Sequence, residues 1–276
     1  MKNIKTYVAE RKEELKKQIE ADKELRLVII QIGDNPASNS YIKGKLVDCE
    51  EVGIKAELFK YTEEQVYDTG VLVRIIEQLN EEEMYNGIIV QLPLPEYIDV
   101  KAVQLAIDPK KDIDGFHPMS EHVACTPLGV VNYLKSQNYN FEGKNALVVG
   151  RSDIVGKPLA KLLTDLNSTV TIAHSKTPAE KLKTHIANSD IIFTAIDKIE
   201  FYDKEYFLYL LMADAIIDIG LGRNKNGKLR GNLSSELVAN LKEIGVNVVS
   251  GIGGVGLLTR LQLLENIINA KKNKGD

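Results

Sequence analysis

The chain has no tryptophan, and aromatic residues fill only 6% of its 276 positions. Cysteine is scarce too: Cys49 and Cys125 are the only two, with no C-x-x-C spacing. That excludes a disulfide framework and suits a reducing compartment. Four scattered histidines, outside any Cys/His cluster, argue against a zinc site. Seven of the 35 basic residues are arginine, and 39 acidic residues outweigh them to a net charge of −4. A nucleic-acid surface needs a local excess of positive charge, so no nucleic-acid partner is expected. No apolar run approaches the roughly 20 residues of a membrane-spanning helix. The opening MKNIKTYVAERKEELKK is charged throughout and lacks the apolar centre of a signal peptide. The expectation is a cytoplasmic protein with neither a membrane nor a metal partner.

What is present is an ordinary globular composition, 44% apolar and 27% charged, at a length that suggests two domains. Two hydrophobic periods alternate along the chain, the mark of an α/β fold. Residues 2–22 have the pattern of an amphipathic helix and 25–33 that of a buried strand. A helix over 38–51 is stopped by Gly53, and a strand at 54–61, a helix at 63–80 and a strand at 87–91 follow. A second series has strands at 145–150, 169–175, 190–196, 215–220 and 247–251. Helices at 155–166 and 178–187 lie among them, and 257–272 is a closing helix. Parallel strands joined by right-handed helical crossovers are the expected arrangement. Residues 108–126 follow neither period and form the expected junction between domains; the tail 271–276 is expected to fray.

In the second series, Gly150-Arg151-Ser152-Asp153-Ile154-Val155-Gly156-Lys157-Pro158 sits where a strand ends and a helix opens. Open α/β sheets bind pyrophosphate there, because small residues let the backbone approach and helix N–H groups face the anion. The spacing is G-x-S-x-x-x-G rather than G-x-G-x-x-G, so a tight turn without a ligand stays open as an alternative. An NAD site usually ends the next strand with an acid for the ribose 2′-hydroxyl. Here that end reads His174-Ser175-Lys176-Thr177, hydroxyl and cationic groups that, with Arg151, suit a 2′-phosphate. NADP is the expected cofactor and NAD the alternative; Lys176 reads equally well as a solvated loop lysine.

In the first series, Tyr41 and Lys45 are four apart and share a helix face. An exposed amphipathic stripe would have the same spacing. So would the Tyr-x-x-x-Lys of short-chain dehydrogenases, but there the nucleotide loop precedes the pair, and here Gly150 lies far downstream. Gln91 ends the third strand before Leu92-Pro93-Leu94-Pro95, at the edge where ligands of open α/β sheets gather. Asp112-Ile113-Asp114-Gly115 follows in the irregular segment. Such a pair of carboxylates can hold a divalent cation, but no further ligands accompany it and no metal is expected.

Seven motifs occur in order: Ser38-Asn39-Ser40-Tyr41-Ile42-x-x-Lys45, Val90-Gln91-Leu92-Pro93-Leu94, Lys111-Asp112-Ile113-Asp114-Gly115, Thr126-Pro127-x-Gly129, Val149-Gly150-Arg151-Ser152-x-Ile154-Val155-Gly156-x-Pro158, His174-Ser175-Lys176-Thr177 and Gly253-Gly254-Val255-Gly256. Together they resemble the bifunctional methylenetetrahydrofolate dehydrogenase/methenyltetrahydrofolate cyclohydrolase family, from about residue 25 to the final helix. The resemblance implies two α/β domains with folate in the cleft between them, and a homodimer. One is a folate-binding domain, 1–118, completed by the C-terminal helix (257–276); the other is a Rossmann-like NADP-binding domain with a parallel sheet, 119–256. It implies hydride transfer from the methylene bridge of tetrahydrofolate to NADP⁺, then hydrolysis of the methenyl cation to 10-formyltetrahydrofolate. Lys45, Tyr41, Gln91 and Asp114 are the implied catalytic residues. Lys45, supported by Gln91, serves the hydrolytic step; Tyr41 stacks on the folate rings. Asp114 accepts two hydrogen bonds from the pterin's amino and ring N–H edge. Ser38, Leu92, Pro93, Gly253 and Gly254 complete the implied substrate site. Gly150, Arg151, Ser152, Ile154, Val155, Gly156, His174, Ser175 and Thr126 make up the implied cofactor site.

The sequence also departs from the family pattern. Pro-x-Pro usually precedes Gly-Gly-Val-Gly and Pro-Met-Thr follows it; here the flanks are Ser250-Gly251-Ile252 and Leu257-Leu258-Thr259. Asp197 and Ile199 replace a glycine and a proline, Asn232 stands where Gly-Asp-Val is usual, and the stretch His117–Cys125 is short. These departures lie on the nicotinamide side. Two alternatives therefore stay open: a cyclohydrolase without dehydrogenase activity, and a folate- or nucleotide-binding relative without turnover.

Overall fold

The apolar residues 27–30 are completely buried, as a parallel strand covered on both faces requires. The structure, a computed structural model, describes residues 2–20 and 24–272. In chain order, α1 spans Ile4–Glu20, β1 Arg26–Ile32, α2 Pro36–Val52, β2 Lys55–Tyr61, α3 Thr69–Glu81, β3 Gly87–Val90 and α4 Val100–Ala106. Then come α5 (Cys125–Ser136), β4 (Asn145–Val149), α6 (Gly156–Asp165), β5 (Thr169–Ala173), α7 (Ala179–Ala187), β6 (Ile191–Thr194) and α8 (Phe207–Leu210). The last elements are β7 (Ala215–Asp218), β8 (Leu221–Arg223), β9 (Leu229–Gly231), α9 (Ser235–Glu243), β10 (Asn247–Val249) and α10 (Gly256–Lys272). The end of the first expected helix, at 21–22, and the tail from 273 lie outside the described residues.

One compact unit comprises Thr6–Cys125 together with the chain from Arg260 onward. Its sheet has the order β2-β1-β3, all parallel, with Leu27 paired to both Ala56 and Gly87. α2 is fixed at both ends. Asn35 Oδ1 accepts from Ala37 N and Ser38 N, Pro36 occupies the first turn, and Gly53 ends the helix at φ 90°. This cap starts the helix ahead of the expected Ser38. The helix expected from residue 63 begins only at Thr69, because Asp68 caps it through Val71 N. Residues 62–66 form instead a turn in which Val66 N donates to Thr62 O at 3.2 Å.

Three helices of this unit meet at one carboxylate. Asp48, 5% exposed on α2, accepts from Lys12 Nζ of α1 at 2.6 Å. Arg260 Nε of α10 lies 2.8 Å from its other oxygen. Burial disfavours the Lys12 charge, but Asp48 and Glu51 outweigh it and hold the ammonium above the ordinary lysine value.

The second compact unit is Thr126–Thr259 with the residues up to Lys5. Its sheet has the order β10-β7-β6-β4-β5, all parallel. β4, the first of these strands in the chain, has β5 on one side and β6 on the other, so the chain reverses direction across the sheet at its carboxyl end. That is the topological switch point of an open α/β sheet. The units divide at Cys125/Thr126 and Thr259/Arg260, later than the expected 118/119 and 256/257. Residues 119–125 stay with the first unit through hydrogen bonds: Cys125 N donates to Asp114 O at 3.3 Å, and Asn266 Nδ2 donates to Val123 O at 3.3 Å. α4, α5, α9 and the antiparallel β8–β9 hairpin are elements that the hydrophobic periods did not expose.

Removing the Asp48 carboxylate would leave Lys12 with Glu51 alone and take from Arg260 its partner at 2.8 Å. Asp48→Ala is expected to lower the unfolding free energy in urea by about 3 kcal/mol. A loss within experimental error would show that the cluster does not hold these helices together.

Candidate active site

In the first unit, polar side chains gather around α2 and the carboxyl end of β3. Lys45 is 7% exposed, and its ammonium lies 3.6 Å from Asp114 Oδ2. Its neighbour Gly44 leaves space for the Arg260 guanidinium, which a Cβ there would displace. Tyr41, one turn earlier on the same face, is 44% exposed, an open aromatic surface. Ser38 Oγ donates to Leu92 O at 3.2 Å and ties the first turn of α2 to the chain after β3. Gln91 Nε2 donates to the same carbonyl at 2.7 Å, while its Oε1 is buried with no partner among the described residues. A buried acceptor left open is costly, and it marks a place for a ligand's N–H or a mobile proton donor. The Leu92–Pro93 peptide at this corner is cis. The structure thus joins Ser38, Gln91 and Leu92 in one cluster and Lys45 with Asp114 in another, both built on α2.

The segment Lys111–Gly115 divides its labour residue by residue. Lys111 Nζ, buried, donates to the carbonyls of Leu79, Asn80 and Glu82 at 3.2, 2.6 and 2.8 Å, capping the end of α3. Asp112 is fully buried, its Oδ2 accepting from His117 N at 2.7 Å, and burial pushes its carboxyl above the usual range. Ile113 belongs to the core, and Asn266 of α10 donates to its carbonyl at 2.8 Å. Gly115 has φ 69°, and a Cβ there would overlap the Ala124 backbone. Only Asp114 is left partly open, with its side chain 33% exposed beside Lys45.

In the second unit, a cavity of about 770 Å³ opens at the carboxyl ends of β4, β5, β6 and β7. Gly150, Arg151, Ser152, Ile154, Val155, His174 and Ser175 line it, as do Ala195–Lys198, Ile219 and Gly220. The turn after β4 is built on close backbone approach. Gly150 has φ 130°, and a Cβ on it would overlap the Ala195 carbonyl oxygen; one on Gly156 would overlap the Gly150 carbonyl. Ser152 Oγ accepts from Val155 N and Gly156 N at 3.2 and 3.3 Å, ordering the first turn of α6. At the end of β5, His174 N donates to Thr177 Oγ1 at 2.9 Å and no acid intervenes. A glycine-lined turn, a helix amino end and exposed Arg151 fit a dinucleotide with a 2′-phosphate.

Three more of the expected residues belong to the second unit. Thr126 Oγ1 sits 2.9 Å from Thr259 Oγ1. Gly253 and Gly254 line a separate, polar hollow of about 540 Å³ with Tyr133, Lys242 and residues 2–5. The cavity rim at 195–198 includes Asp197, already marked in the sequence as a departure from the family pattern; Ala195, Ile196 and Lys198 were not singled out there.

Residues 2–114 match the family description tetrahydrofolate dehydrogenase/cyclohydrolase, catalytic domain, and 124–275 match its NAD(P)-binding domain. The chain belongs to the tetrahydrofolate dehydrogenase/cyclohydrolase family. It is 40% identical over 253 residues to the bifunctional protein FolD of Streptococcus agalactiae, covering 88% of this chain and 86% of the relative. The bifunctional FolD methylenetetrahydrofolate dehydrogenase/cyclohydrolase structure from Campylobacter jejuni superposes with a TM-score of 0.87 at 33% identity, over 98% of this chain and 97% of that one. The Trypanosoma brucei FolD structure, complexed with NADP cofactor and inhibitor, gives a TM-score of 0.87 at 26% identity, over 99% and 97%.

Against the family pattern, the altered loops of this member are internally supported. Ser250 stands in the loop where a proline is usual, and its hydroxyl accepts from Ile252 N at 3.3 Å. Asp218, 1% exposed at the end of β7, accepts from Asn232 N at 2.9 Å, yet burial pushes its carboxyl up to about 6. The protonated form is therefore favoured by folding. Its stabilising contribution is complete below about pH 4, the unfolded value, and is lost as the pH rises through about 6. The stability difference between the unaltered protein and Asp218→Asn should fall by about 3 kcal/mol from pH 4 to pH 7. Denaturant titrations at several pH values measure it; a flat difference would exclude the shift.

Proposed function

We infer that the protein oxidises 5,10-methylenetetrahydrofolate with NADP⁺ and hydrolyses the resulting 5,10-methenyltetrahydrofolate to 10-formyltetrahydrofolate. The observation that carries this reading is that both family domains are present in order, each with a built site: buried Lys45 beside Asp114, and the Gly150–Gly156 turn. The narrower readings, hydrolysis alone or binding without turnover, draw no support from the second unit, whose phosphate-side turn is intact.

In the first step the methylene carbon loses a hydride and the two flanking nitrogens share the positive charge that remains. NADP⁺ supplies the hydride acceptor. Gly150, Arg151, Ser152, Ile154, Val155, Gly156, His174 and Ser175 would hold it, the backbone N–H groups facing pyrophosphate and Arg151 with Ser175 facing the 2′-phosphate. The chemistry needs little acid or base, so the protein's contribution is positioning. Tyr41 offers its open ring face to the folate, Asp114 accepts from the pterin's donor edge, and Ser38 fixes the Leu92–Pro93 wall.

In the second step water adds to the methenyl carbon, the bond to N5 breaks, N5 keeps a proton, and one proton is released. Lys45 is the proton-handling group in this scheme, and the open Oε1 of Gln91 is the acceptor that orients its ammonium or the water. We further propose that the protein acts as a homodimer in the cytoplasm without a nucleic-acid partner. No described helix is long and apolar enough to cross a membrane.

Purified protein given methylenetetrahydrofolate and NADP⁺ should generate methenyl absorbance that then decays; no absorbance with NADP⁺ or NAD⁺ would overturn the dehydrogenase reading. Lys45→Met should slow methenyl hydrolysis by about 100-fold or more, and an unchanged rate would remove Lys45 from the mechanism. Arg151→Ala should weaken NADP⁺ binding about tenfold more than NAD⁺ binding. Equal weakening would end its phosphate role.

A further inference from the structure

Beyond β6 the chain leaves the sheet, and residues 195–198 become one rim of the dinucleotide cavity. Much of this rim is held by one side chain from another part of the unit. Asn232, completely buried, accepts from Ile196 N at 3.2 Å through Oδ1 and donates from Nδ2 to Ile196 O at 2.8 Å and Lys198 O at 2.7 Å. The Thr194 hydroxyl lies 3.0 Å from Asn232 Oδ1 and 3.1 Å from Asp218 Oδ1. Asp218 in turn accepts from the backbone N–H groups of Asn232 and Leu233 at 2.9 and 3.2 Å. Two glycines make room for this pair: a Cβ on Gly220 would overlap the carboxamide, and one on Gly231 would overlap the Asp218 carboxylate. Its polar atoms are thus satisfied by the rim, so its position and the rim's path are set together.

The sheet order says which half of a dinucleotide this rim serves. β5, whose end carries Ser175, and β6, whose end carries the rim, lie on opposite sides of β4. A dinucleotide spans the switch point, with its adenosine ribose at the end of the strand that follows the phosphate turn. We propose that Asn232 is a positioning residue for the nicotinamide half of the cofactor, acting through the backbone of Ile196–Lys198. The proposal rests on the dinucleotide reading of this unit. It also accounts for two departures at once. Where Ile199 replaces a proline, the rim lacks that ring's fixed φ, and the carboxamide restrains the chain instead by donating to two carbonyls. A carboxylate at 232 could not make those donations.

The test uses Asn232→Asp, which keeps size and removes the two donors, beside Asn232→Ala. Methenyl hydrolysis, which consumes no dinucleotide, serves to normalise for folded protein. The expected result is a rise of about tenfold in KM and in calorimetric Kd, equal for NADP⁺ and NAD⁺ because both share the nicotinamide half, with kcat at saturating cofactor changed less than threefold. Amide hydrogen exchange at Ile196 in cofactor-free protein should be slow in the unaltered chain and fast in both variants. Unchanged affinity, or a loss confined to NADP⁺, overturns the proposal. A fast-exchanging Ile196 amide in the unaltered protein does so even if neither variant folds. Failure of the unaltered protein to bind either dinucleotide would overturn the underlying reading as well.

Discussion

A parallel strand buried on both faces can meet polar chemistry only where its ladder ends, and both units of this chain are organised by that constraint. Residues 27–30 of β1 and 191–193 of β6 have no exposed surface at all. Polar side chains collect instead where the backbone leaves the sheet: Gln91 after β3, Gly150–Ser152 after β4, His174 and Ser175 after β5, Asp197 and Lys198 after β6. The close approach of Gly150 to the Ala195 carbonyl joins two of these ends. Catalytic placement follows from sheet topology before any individual side chain is considered.

Charges that are buried away from the site do the work of holding it. Lys111 spends its three protons on the end of α3, Asp112 orders the turn that contains Gly115, and Asp48 draws Lys12 and Arg260 onto α2. Each would be costly alone; Lys111 and Asp48 are matched by groups from elements distant in sequence, and Asp112 by the nearby His117 N–H. The result is that α2 cannot rotate without breaking the Asp48 cluster, and Lys45 on the same helix inherits that rigidity. Asp218 and Asn232 play the corresponding part beneath the rim of the second unit.

Most of the strands and the longer helices were legible as alternating hydrophobic periods, because burial on both faces of a sheet leaves a run of apolar residues that little else produces. Boundaries moved where capping decided them: Asn35-Pro36 starts α2 early and Asp68 starts α3 late. The three-residue strands β8 and β9 are too short to show a period. In the site, the glycine turn and the Tyr41–Lys45 face could be read locally, since each lies within one element. The Asn232 network could not, because its partners at 194, 196, 198 and 218 are brought together only by folding.

By itself the sequence determined the α/β class, the order of the strands along the chain, the family and the chemical types available at each strand end. These depend on local period and on short motifs. Only the tertiary structure decided which of those residues share a site. It paired Thr126 with Thr259, set Asp114 rather than Asp112 beside Lys45, and left Gln91 with a buried open acceptor. The physical reason is that adjacent carboxylates such as 112 and 114 are chemically alike in the chain. Burial, available donors and packing of remote elements alone make one a structural strut and leave the other partly open beside Lys45.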